Sequence, residues 1–126
     1  MITYNVFDEQ ILIEEFTGKV NRDEYIHLKK TQVNQTNYLK MNGIVMDVRK
    51  STMAFSKNAI RELVSFILTN KVLIENKSIA ILTKTMDQLS FSFFLKDQLA
   101  DQMSTVRIEQ FSSKQTALKW MASGKA

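Results

Sequence analysis

Few side chains in this sequence are of a type and spacing that could do chemistry. His27 is the single histidine and cysteine is absent, so a histidine metal cluster, thiolate chemistry and cysteine-ligated zinc are all excluded. No HExxH, GxSxG, P-loop or GxGxxG pattern occurs. Asp8-Glu9 and Glu14-Glu15 supply paired carboxylates, the residue type of acid/base couples. Neighbours on a strand point to opposite faces, however, so both pairs are expected as solvated charge. His27, with Glu24, Lys29 and Lys30 around it, reads as part of a solvated helix face. Asp47 stands apart because it ends the apolar run IVMDV. A buried parallel strand would deliver it to the edge where open α/β sheets bind ligands; capping the following loop is its simpler role. Ser56 precedes a helical run with Lys57 and Arg61 beside it. A phosphate there would meet free N–H groups and the positive end of the helix dipole, while an ordinary N-cap explains the serine equally. No catalytic residue, metal site or cofactor is expected.

The elements that would position these residues follow from periodicity. Ile2, Tyr4 and Val6 alternate with Thr3 and Asn5, and Ile11 to Thr17 reads as the hairpin partner across Asp8-Glu9-Gln10. IVMDV after Gly43, then SIAILT and VRIEQF, complete five strand candidates; the middle runs are continuous rather than alternating, which predicts cover on both faces. Between them lie four helix-start patterns: Asn21 with Glu24, Phe55-Ser56 with Ile60, Thr85 with Gln88, and Ser112 with Gln115. In the second helix Ala59, Ile60, Leu63, Val64, Ile67 and Leu68 fall on one side, so it must lie on a sheet. In the third, Met86, Leu89, Phe93, Ala100 and Met103 form the stripe expected to dock, with Phe91, Phe94 and Leu95 pointing elsewhere. Trp120 is expected at the sheet edge. The predicted order is β-β-α-β-α-β-α-β-α: one α/β domain with a five-stranded mixed sheet and an antiparallel N-terminal hairpin.

At 126 residues, 44% hydrophobic and 24% charged, the chain has room for one domain and is neither disordered nor membrane-spanning in composition. MITYNVFDEQ lacks the pattern of a signal peptide, and the expected compartment is the cytoplasm. The charge is polarised. Residues 1 to 24 hold six acids against two bases, and the remainder fifteen bases against seven acids. The bases are scattered without interleaved aromatics, so nucleic acid is not an expected partner.

The element order, the segment GIVMDVRKSTMAFS, the IAIL strand and the FSSKQTALKWM ending resemble the SpoIIAA-like (STAS-like) domain family over nearly the whole chain. The resemblance implies a non-catalytic regulatory or adaptor domain that binds a protein partner, as anti-sigma-factor antagonists do, through the start of helix two and the segment from Arg49 to Phe55. It also places a phosphorylatable serine at Ser56. The family's Asp-Ser-Ser-Gly run is replaced here by Phe55-Ser56-Lys57-Asn58. The binding rim expected on this basis gathers Asp47, Arg49, Lys50, Ser56 and Lys57 with Thr83, Lys84 and Thr85, and suits an anionic molecule or an acidic protein patch. The alternative is a carrier or sensor of a small apolar ligand in a groove between helices two and three, lined by Phe91, Phe94 and Leu95; the same residues would serve a homodimer.

Overall fold

The structure, a computed structural model, describes residues 1–35, 37–52, 55–102 and 105–123. Met103, and Met53 and Ala54 in the segment before helix two, lie outside them. The described elements are β1 (Ile2–Phe7), β2 (Ile11–Lys19), α1 (Arg22–Gln35), β3 (Gly43–Thr52), α2 (Lys57–Thr69), β4 (Ser78–Leu82), α3 (Met86–Ala100), β5 (Arg107–Phe111) and α4 (Lys114–Ser123). One sheet holds the strands in the order β1-β2-β3-β4-β5. β1 pairs antiparallel with β2, and β2 to β5 are parallel. The predicted fold is therefore the observed one.

Right-handed crossovers between strands that advance in one direction put every connecting helix on one face. That face carries the larger core, in which Leu12, Phe16, Ile44, Met46, Val48, Ile79 and Ile81 meet Ile60, Leu63, Val64 and Ile67 of α2 and Phe91, Leu95 and Leu99 of α3. Each such side chain fully buried is worth ~1.5–3 kcal/mol. Among the described residues the other face is covered by α4, with Ala117 and Met121 packed on Ile11, Ile13, Val45, Ala80 and Leu82. The closeness of α4 depends on Gly43, where an added Cβ would lie 3.0 Å from the Met121 sulfur. Trp120 packs its ring on Phe111 of the edge strand, 5.4 Å between centroids.

Local chemistry explains where the elements start. Asn21 accepts the Glu24 N–H (2.9 Å), Ser56 the Ala59 N–H (3.1 Å), and Thr85 with Gln88 completes a capping box. At α4 the cap lies one residue later than the Ser112–Gln115 pattern suggests: Ser113 accepts the Thr116 N–H at 3.2 Å. The stripe assigned to α3 is also corrected. Its buried side is Gln88, Phe91, Ser92, Leu95 and Leu99, whereas Met86 and Phe93 are exposed. The capping box draws Gln88 inward, and Leu95 and Leu99 follow it at helical spacing.

Candidate functional site

Asp47 and Arg49 meet on the α4 face. The β2–β3 register slips between Glu15·Asp47 and Thr17·Lys50, giving β3 one extra residue, and a bulge of this kind re-aims side chains. The Arg49 guanidinium donates to both Asp47 oxygens at 2.9 Å, the Arg49 backbone N–H donates to Asp47 Oδ1 at 3.2 Å, and Arg49 reaches the Ser112 carbonyl at 3.3 Å. Burial alone would raise the Asp47 carboxyl; the Arg49 hydrogen bonds and charge outweigh it and hold Asp47 below its ordinary range. Asp47 is the last β3 residue paired with β4. It does not end its strand, because β3 continues beside β2 to Thr52.

The rim residues that start the helices belong to the opposite face, whereas Lys50 pairs with Thr17 and its charge helps to lower Asp47. Ser56 caps α2, Lys57 opens it and Thr85 caps α3, while Lys50 is exposed. Gln88 ties α3 to the end of β3: its amide donates to the Ser51 carbonyl at 3.0 Å and its oxygen accepts the Lys84 N–H at 2.7 Å. A ligand crevice at the carboxyl edge of an open sheet opens where strand order reverses. The order of the described strands does not reverse, and the hollow beside the rim, about 330 Å³, is instead lined by Lys19, Asn21, Arg22, Asp23, Phe55 and Ser56.

Between α2 and α3 lies a hollow of about 400 Å³ lined by Phe55, Lys57, Ile60, Asp87, Ser90, Phe91 and Phe94. Phe55 and Phe91 meet edge to face with centroids 5.5 Å apart. Lys57 and Arg61 stand 5.9 and 5.7 Å from the Phe94 ring centroid. Phe91 and Phe94 line this hollow, while Leu95 is buried in the core beneath α3. At 100° per residue, Phe93 and Met86 continue the apolar surface past Ser90 around α3.

A buried polar cluster was not legible as such. Glu14 and Lys29 are both fully buried, with Lys29 Nζ 2.5 Å from Glu14 Oε2. Gln32 donates to the same oxygen at 3.0 Å. Lys29 also donates to Tyr38 OH at 3.4 Å, and that hydroxyl donates to the Leu73 carbonyl at 2.5 Å. Lys77 donates to the Tyr38 and Met41 carbonyls at 3.1 and 2.6 Å. Glu14 and Lys29, expected as solvated, are thus corrected to interior positions. Even-numbered β2 residues face the helices, and helix α1 carries Lys29 one turn after the buried Tyr25. Burial lowers Lys29 against the opposing pull of Glu14, and burial raises the Tyr25 and Tyr38 hydroxyls. The available signal was Glu14 alternating with Leu12 and Phe16. Among the described residues no cluster of three metal-ligating side chains occurs, and no helix is long and apolar enough to cross a membrane.

No family model and no curated protein matches the sequence. Among solved structures, the chain is similar to an uncharacterized protein of the DUF3478 family with a SpoIIAA-like fold from Shewanella loihica PV-4. The TM-score is 0.60 at 15% identity, over 96% of this chain and 92% of that one. With the element order, sheet order and helix placement described above, the chain has the SpoIIAA-like fold.

Proposed function

We propose that this chain is a non-catalytic regulatory or adaptor domain that binds a protein partner on its α2–α3 face. The observation that carries the reading is the hollow floored by Phe55, Phe91 and Phe94 and continued by the exposed Phe93 and Met86. Aromatic anchors with a charged rim are the anatomy of a protein-binding surface. Lys57 and Arg61 beside Phe94 favour an apolar anchor flanked by acidic residues. Arg49 contributes little to such a partner, because Asp47 already neutralises it.

Capture from lysate on immobilised protein tests the reading. Phe93→Glu and the double change Lys57→Glu with Arg61→Glu should each keep the fold and lose a band that His27→Glu retains; equal recovery on all three sinks it. A carrier of a small apolar ligand is the second reading, favoured by a volume within the ~300–1,000 Å³ range of small-molecule sites. Native mass spectrometry separates the two, since a discrete added mass of small-molecule size favours the carrier.

A further inference from the structure

We infer that β1 is a docking edge for a second copy of this chain, paired antiparallel about a two-fold axis at Tyr4. Edge strands present unpaired backbone groups, which proteins usually blunt with charge, proline or cover. The edge at β5 is treated that way. Arg107 donates to Ser78 Oγ at 3.0 Å and lies 4.3 Å from the Trp120 ring centroid, and Glu109 is paired with Lys96 at 2.6 Å. At the other edge β1 reads ITYNVF, without charge, proline or glycine, and exposes Val6 at 44% and Phe7 at 46%.

The backbone sets the register. Met1 and Thr17 exchange both backbone bonds, at 2.9 and 2.8 Å. Antiparallel pairs alternate between bonded and non-bonded, so Thr3, Asn5 and Phe7 bond to β2. The N–H and C=O of Ile2, Tyr4 and Val6 point away from it. Bonding the groups of all three residues to a second β1 at full overlap aligns Tyr4 with its copy and Ile2 with the copy's Val6 on the helix side, and Thr3 with the copy's Asn5 on the α4 side. Apolar then meets apolar and polar meets polar, as cross-strand pairs require. The strand is its own complement, so the partner that fits it is a second copy of this chain. Charge agrees with that choice. At ~3.4 Å per residue this register holds the two Asp8-Glu9 turns about 27 Å apart, beyond the ~8 Å screening length, whereas a parallel pairing would stack them.

Light scattering on the eluting protein should give twice 14.6 kDa for the wild type and the single-chain mass for Val6→Lys. Cysteine cross-linking fixes the register without relying on that variant, since the chain has no cysteine of its own. Thr3→Cys mixed with Asn5→Cys should yield a disulfide, because a non-bonded pair brings Cα atoms to ~4.5 Å. Thr3→Cys alone should not, its copies being about 8 Å apart. A monomeric mass at every concentration, a dimer that survives Val6→Lys, or equal cross-linking by Thr3→Cys alone would each overturn the proposal.

Discussion

Glu14→Gln keeps the shape of a fully buried side chain and removes its charge, leaving the Lys29 ammonium 3.1 Å from Gln32 Oε1 and 3.4 Å from Tyr38 OH without its carboxylate. Breaking a buried pair from one side costs ~3–5 kcal/mol. Lys29 has one way to limit the loss, which is to release its proton. Against its ordinary value of 10.5, release at pH 7 costs about 4.8 kcal/mol and at pH 9 about 2.0. The two figures for pH 7 agree, so a loss of about 4 kcal/mol is expected there. Its pH dependence is the sharper test. Burial already lowers Lys29 in the folded state, and removing Glu14 lowers it further. The unfolded chain then binds more protons than the folded one, so the variant gains stability relative to wild type as pH rises, by up to ~1.4 kcal/mol per unit. Urea denaturation of both proteins at pH 7 and pH 9 reads this directly. A deficit below about 1 kcal/mol, or one that does not shrink at pH 9, would refute the claim that a desolvated charge is what the substitution exposes.

Glu14→Leu combined with Lys29→Met should recover at least half of that loss, since an apolar pair removes both desolvation penalties; the same urea titrations at pH 7 measure it. Leu63→Ala and Ile67→Ala, both on the buried face of α2, should each cost ~2–5 kcal/mol, against ~1 kcal/mol for Ser56→Ala through its lost cap. Glu9→Gly should stabilise the hairpin by ~1 kcal/mol in thermal or urea unfolding, because Glu9 is held at φ 60°, where a side chain is strained and glycine is not. Asp47 is held below its ordinary range, so its contribution is present above the unfolded value and is lost as pH falls through the folded one. Asp47→Asn should therefore flatten the acid limb of the stability profile below about pH 4.

The fold was legible because its local signals agree with one another. The alternation in β1, the apolar runs of β3 and β4 and the caps at Asn21, Ser56 and Thr85 all specify the same order. Two kinds of error have physical causes. The wheel of α3 was misassigned because Met86 and Phe93 are apolar and exposed while Gln88 and Ser92 are polar and buried, so hydrophobicity alone turns the helix the wrong way. Glu14 and Lys29 were read as solvent-facing because residue type outweighed register. Their burial depends on a partner fifteen residues away, which no window along the chain displays. The rim was legible as a list of cap residues. That Asp47 pairs with Arg49 instead of ending its strand depends on the bulge in β3, which only the assembled sheet shows.

The central claim, that the α2–α3 face binds a protein, is tested most directly by a photo-crosslinking phenylalanine placed at Phe93 and, as a control, at His27, both exposed. The account predicts a discrete crosslinked species of higher mass from position 93 only, lost when Lys57→Glu and Arg61→Glu are added. Crosslinking of equal yield from position 27, or none from position 93 in cells that produce the protein, would contradict it.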